Sequence, residues 1–151
     1  MLEPERSWAD CFAQKGEIMT IQGSCLCGTV RYELTQDPLW AHNCHCSRCR
    51  KTRGAAFASN LFVPRDGFRF SQGQDQVRSY KPPGAERFTH AFCAKCGSSL
   101  PWLNESRGVV VVPMGGLDQH PGVTPRANIF VDSMASWFTI TDALPKHPGP
   151  P

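Results

Sequence analysis

Seven of the eight cysteines fall into three short motifs: Cys25-Leu26-Cys27-Gly28, Cys44-His45-Cys46-Ser47-Arg48-Cys49 and Cys93-Ala94-Lys95-Cys96-Gly97. Cys-x-Cys and Cys-x-x-Cys pairs suit metal chelation better than a disulfide network. In an extended strand, residues i and i+2 share a face, so Cys25 and Cys27 are expected to present two converging thiolates. Cys93 to Cys96 reads as a knuckle, with Gly97 letting the backbone fold under a metal. Pairing these two motifs gives a closed four-cysteine zinc site. It would staple the start of the domain to a segment some 65 residues later, removing loop entropy from a small domain.

The middle motif differs. Cys44, Cys46 and Cys49 lie within six residues, and the one cysteine left over is Cys11, in the N-terminal stretch. A structural zinc takes four protein ligands, whereas three ligands and an open position is the catalytic pattern. His42 or His45 could close the site instead, or serve only as hydrogen-bonding histidines. Thiols on Zn2+ ionise at neutral pH, which makes Cys44, Cys46 and Cys49 candidates for catalysis on a further thiol. Arg48, Arg50, Lys51 and Arg53 follow at once. We read Arg48, Arg50 and Lys51 as candidates for charge compensation and carboxylate binding; a solvated basic turn is the plainer reading of each.

The elements that must position these motifs are mostly strands. Val30, Tyr32 and Leu34 alternate with Arg31 and Glu33, as in a half-buried strand. Further strands are expected over 57–63, 68–70, 77–80, 87–92, 108–113, 128–131 and 137–140. The one helix expected is a turn or two near 47–53. The chain therefore reads as all-β, with two or three small antiparallel sheets around zinc and one short helical turn. Residues 1–18 show no pattern and are expected to be a disordered or non-native extension, with Met19 a plausible start. The domain then spans 19–144, and the Pro-rich stretch 145–151 is expected to fray without helix or sheet.

The bulk numbers exclude several classes. A length of 151 residues fits one domain. Net charge is only +3, with no long Lys/Arg run, which argues against nucleic acid as a partner. No apolar run approaches the roughly 18–20 residues of a membrane span. The N-terminus, MLEPERSWADCF, has no apolar signal-peptide core. A cytoplasmic location is therefore expected, and a reducing compartment disfavours disulfides.

Three segments together make the chain resemble a known family. They are Gly23-Ser24-Cys25-Leu26-Cys27-Gly28, Cys44-His45-Cys46-Ser47-Arg48-Cys49-Arg50-Lys51 and Phe92-Cys93-Ala94-Lys95-Cys96-Gly97. Pro113-Met114-Gly115-Gly116-Leu117-Asp118 and Ile129-Phe130-Val131-Asp132-Ser133 add to the likeness. The family is that of glutathione-dependent formaldehyde-activating enzymes, which also includes centromere-protein-V-like proteins. The resemblance implies an Mss4-like fold, a structural zinc on Cys25, Cys27, Cys93 and Cys96, and a second zinc on Cys44, Cys46 and Cys49 where the glutathione thiol meets the metal. It implies a carbon–sulfur lyase that joins formaldehyde and glutathione into S-(hydroxymethyl)glutathione, with Cys46 yielding its place to the incoming sulfur. The alternative is a zinc-binding interaction module without catalysis. Two departures stand out: Asn128 where many relatives carry His, and Ser133-Met134-Ala135-Ser136-Trp137 in a segment expected to line the ligand pocket.

Among other residues, Trp40, Phe57, Phe62, Trp102, Phe130 and Trp137 read as pocket wall or plain core. His90, three residues before Cys93, reads as a partner of a metal-binding cysteine or a strand residue.

Overall fold

Short apolar–polar alternations punctuated by Gly and Pro favour strands over helices. The computed structural model describes residues 19–151 and builds three sheets there. The first has order β1-β2-β5, formed by β1 (Ile21–Ser24), β2 (Arg31–Leu34) and β5 (Phe68–Gln72). A six-stranded sheet follows, with β3 (Trp40–Cys44), β4 (Ala58–Pro64), β9 (Trp102–Asn104), β10 (Val109–Pro113), β11 (Pro125–Ile129) and β12 (Lys146–His147). Its order is β12-β11-β3-β4-β10-β9. The third sheet joins β6 (Val77–Tyr80), β7 (His90–Cys93) and β8 (Ser99–Leu100). Helix α1 covers Ser47–Arg53 and is the one α-helix among the described residues. The protein is all-β apart from this helix and several 3-10 turns.

The register of the six-stranded sheet divides its residues between two faces. Trp40 pairs with Phe62, His42 with Asn60 and Cys44 with Ala58, and Val111 pairs with Phe62 across the next ladder. Because side chains alternate along a strand, these residues share one face. The other face carries Ala41, Leu61, Val63, Val110 and Val112, all buried, which pack with Val30, Tyr32, Leu34 and Leu100 into the main core. Each fully buried Val or Leu is worth about 1.5–3 kcal/mol, so this face is a large source of stabilisation. Both faces of β10 are covered, which explains why Val109 to Val112 run apolar without alternating.

The structure corrects several expectations. Cys25-Leu26-Cys27 does not lie on a strand: β1 ends at Ser24, and the three residues open a turn. Residues 137–140 form no strand, and 131–133 form a 3-10 turn. β3 was hidden because polar residues fall on both of its faces. β11 pairs in parallel with β3 and with β12, so the sheets are not wholly antiparallel. The Pro-rich end does not lack sheet, since Lys146–His147 is β12, and prolines are tolerated around it because it is an edge strand. The expected extension 1–18, with Cys11, lies outside the described residues. Among the described residues, no helix is long and apolar enough to cross a membrane.

Candidate metal centres

Two clusters of cysteine sulfurs form among the described residues: Cys25, Cys27, Cys93 and Cys96, and separately Cys44, Cys46 and Cys49. Within each cluster all sulfurs lie within 4.8 Å of one another, close enough for each cluster to hold a metal ion. An all-sulfur donor set suits a soft or borderline cation such as Zn2+.

The four-sulfur cluster is built from two knuckles. In the first, the Val30 N–H donates to Cys25 Sγ at 3.2 Å and the Gly28 N–H to the Cys25 carbonyl at 2.9 Å. In the second, the Gly97 N–H donates to the Cys93 carbonyl at 2.8 Å, and Gly97 takes a left-handed φ of 76° that favours glycine. The Leu26 N–H donates to Ser98 Oγ at 2.9 Å, tying one knuckle to the other. Cys25 and Cys27 stand 3.5 Å apart at sulfur, and Cys27 and Cys93 4.0 Å apart.

The three-sulfur cluster comes from one stretch of chain. Cys44 ends β3, Cys46 is the N-cap of α1, and Cys49 lies in its first turn. The Cys49 N–H donates to Cys46 Sγ at 3.4 Å, the usual way a cap side chain satisfies a free helix-terminal N–H. Cys44 and Cys49 are buried, while Cys46 is partly exposed. Hydrogen bonds from the Cys44 and Cys49 thiols, then the Cys49 and Arg48 N–H groups, pull the Cys46 thiol far below its ordinary range. Hydrogen bonding with Cys46 and Cys49, then burial, pushes Cys44 up.

Neither histidine closes this cluster. His45 is fully buried and turned away, its Nε2 2.8 Å from Asn128 Oδ1. Asn128 Nδ2 donates onward to Asp142 Oδ1 at 2.9 Å, so the amide oxygen is left to accept from His45 Nε2–H. His42 Nε2 accepts from Arg126 Nε at 3.3 Å. Asn128, the departure noted in the sequence, thus holds His45 and lies outside the walls of the cavity described next.

Cys44, Cys46 and Cys49 all line a cavity of about 430 Å³. Arg48, Arg87 and Arg107 line it, and no carboxylate side chain does. Phe62, Phe88, Trp102 and Phe130 provide apolar wall, and Arg48 sits 6.0 Å over the Phe88 ring. Phe130 has a left-handed φ of 56°, rare for a bulky residue and costing on the order of 1–2 kcal/mol. It is held there by a bond from its N–H to the Gly149 carbonyl at 3.2 Å. Pro150 and Pro151 close one side.

Of the basic residues singled out in the sequence, Arg48 reaches this cavity, whereas Arg50 and Lys51 do not line it. α1 presents different faces to different surroundings, so neighbours in sequence part company. Arg87 and Arg107 were missed, because single arginines far in sequence from Cys44–Cys49, one in a loop and one in a 3-10 turn, carry no sequence signal. Of the aromatic residues, Trp137 is 72% exposed, and Phe57 faces a second cavity. His90 stacks on Phe92, with ring centroids 5.3 Å apart, and makes no hydrogen bond to a cysteine.

Comparison with known proteins agrees with this geometry. The family model described as glutathione-dependent formaldehyde-activating enzyme matches residues 20–133. A Halomonas elongata protein named "Putative glutathione-dependent formaldehyde-activating enzyme" is 29% identical over 133 residues, 81% of this chain and 82% of that protein. A crystal structure of a Rhodobacter sphaeroides protein superposes with a TM-score of 0.54 at 26% identity, covering 70% of this chain and 92% of that one.

Proposed function

The chain belongs to the glutathione-dependent formaldehyde-activating enzyme family, and on that premise we propose that it is a zinc enzyme joining glutathione, or a similar anionic thiol, to formaldehyde, or cleaving the adduct. One observation carries this reading: three clustered cysteines line a cavity together with three arginines and no Asp or Glu side chain. A cavity of this charge favours a ligand bearing both a thiol and carboxylates, as glutathione does.

In this reading Cys25, Cys27, Cys93 and Cys96 hold one Zn2+ as a structural ion, and Cys44, Cys46 and Cys49 hold the other. The donor chemistry fits, and among the described residues no fourth Cys, His, Asp or Glu joins the second cluster. When bound there, Zn2+ supplies positive charge that keeps thiols ionised at neutral pH. The protein's own groups do the rest. Arg48, Arg87 and Arg107 bind the thiol's carboxylates and so fix where its sulfur lies. Cys46, the partly exposed member, is the sulfur beside which the incoming thiol arrives. Phe62, Phe88 and Trp102 exclude water from the reacting atoms. The thiolate sulfur adds to the aldehyde carbon, the C=O π pair moves to oxygen, and that oxygen takes a proton. The reverse releases aldehyde and thiol, so a carbon–sulfur lyase activity needs no redox partner.

The test is NMR exchange spectroscopy on glutathione, formaldehyde and their adduct with the zinc-loaded protein. Exchange above the buffer rate, abolished by Cys46→Ser, is expected. A rate equal to buffer alone overturns the proposal.

A further inference from the structure

A second cavity, of about 630 Å³, shares no residue with the thiol cavity. Arg53, at the end of α1, lines it together with Asp118, Ser24, Ser98, Gly115 and Gly116. Arg53 and Asp118 face one space yet do not neutralise each other. The one ion pair among the described residues joins Arg69 to Glu33, elsewhere on the surface. Arg53 makes no hydrogen bond among the described residues and is only half-exposed. Burial disfavours its charged form, and no carboxylate offsets that cost.

Asp118 is placed by its backbone N–H, which donates to the Gln22 carbonyl at 2.8 Å. Its carboxylate accepts only the Ser24 hydroxyl, at 3.1 and 3.2 Å, which leaves lone pairs on both oxygens. Behind Gly116 lies the Tyr32 hydroxyl, 1% exposed and without a hydrogen-bond partner. A Cβ on Gly116 would stand 2.7 Å from that oxygen, so glycine is needed for this close approach. Burial first, then Asp118, raises the Tyr32 pKa, and Arg53 opposes them.

A carboxylate and a guanidinium that line one cavity without pairing with each other suit a ligand that carries both charges close together. A plain anion would meet the Asp118 carboxylate, and a plain amine would meet Arg53. We propose that this cavity binds an α-amino-acid head group, its ammonium on Asp118 and its carboxylate on Arg53. A free amino acid and a γ-glutamyl compound offer the same head group.

The experiment is a titration of the zinc-loaded full chain, read by backbone amide NMR shifts at Gly115, Gly116 and Ser98. The probes are L-alanine, S-methylglutathione, acetate and methylammonium. Saturable shifts with L-alanine and S-methylglutathione are expected, with acetate and methylammonium weaker by about tenfold or more, as loss of a charged hydrogen bond implies. Saturation by S-methylglutathione alone supports the same head group and names the γ-glutamyl source. Arg53→Met and Asp118→Asn should each weaken the response by a similar factor. Asp118 is exposed, so the Asp118→Asn variant should keep its native spectrum elsewhere. Acetate matching L-alanine, no saturable shift with any probe, or shifts that survive both substitutions overturns the proposal.

Discussion

The two cysteine clusters use one donor chemistry for opposite ends. The four-sulfur cluster joins turns 66 positions apart in sequence, Cys27 to Cys93, and has the knuckle backbone folded around it. The three-sulfur cluster comes from one segment, Cys44 to Cys49, and faces a cavity. A cross-link between distant parts of the chain constrains the unfolded state, whereas a local chelate constrains little beyond itself. On the proposed reading, long-range closure is what suits the first cluster to holding the fold, and the adjoining cavity is what suits the second to chemistry.

The sharpest way to break this contrast is to remove one sulfur from each cluster. Cys93, which is fully buried, sits in the four-sulfur cluster. Cys93→Ser should cost more than about 4 kcal/mol, the range associated with loss of a structural metal. Calorimetry would show this as collapse or disappearance of the melting transition. Cys46→Ser should leave the melting temperature nearly unchanged while exchange falls by at least the roughly 10–100-fold that follows loss of a residue merely supporting a ligand. Equal melting losses in the two variants would erase the distinction between the clusters.

A smaller effect separates the cluster from its support. Buried Asn128 joins buried His45 to the exposed Asp142. Asn128→Leu leaves the buried His45 Nε2–H without an acceptor, while exposed Asp142 keeps the Leu144 N–H and water, and should cost about 1–3 kcal/mol in a urea melt. It should also disturb the Cys44–Cys46 loop, so metal should leave the three-sulfur cluster first in a chelator titration followed by mass spectrometry.

The smallest effect concerns pH. Burial first, with Arg126 and other cations adding to it, lowers the His42 pKa, and burial then Arg53 lowers that of His90. Above the ordinary histidine value of about 6.5 both are neutral whether folded or unfolded. As pH falls below it, the unfolded chain takes up protons that the folded chain refuses, so stability drops until the folded pKa values are passed. Melts at pH 7.5 and 5.5 should show this loss, and His42→Gln should reduce it. A melting temperature independent of pH over that span would contradict the burial of these rings.

The identity of the metal donors could be read from residue types alone. Chelate spacing is local, so the knuckle at Cys93–Cys96, the triad at Cys44–Cys49 and the helical turn over Ser47–Arg53 were legible from residue types a few positions apart. Strands with clean alternation, such as β2, were legible for the same reason, while β3 was not, because its pattern depends on having a partner on each face. What surrounds the sulfurs came from the folded chain. It brought Arg87 and Arg107 to the triad, sent Arg53 to a different cavity from Arg48, turned His45 inward to Asn128, and drew the Pro-rich end into an edge strand. Each of these depends on packing between segments far apart in the chain, where burial and long-range hydrogen bonds outweigh local preference, and no short window of sequence contains that information.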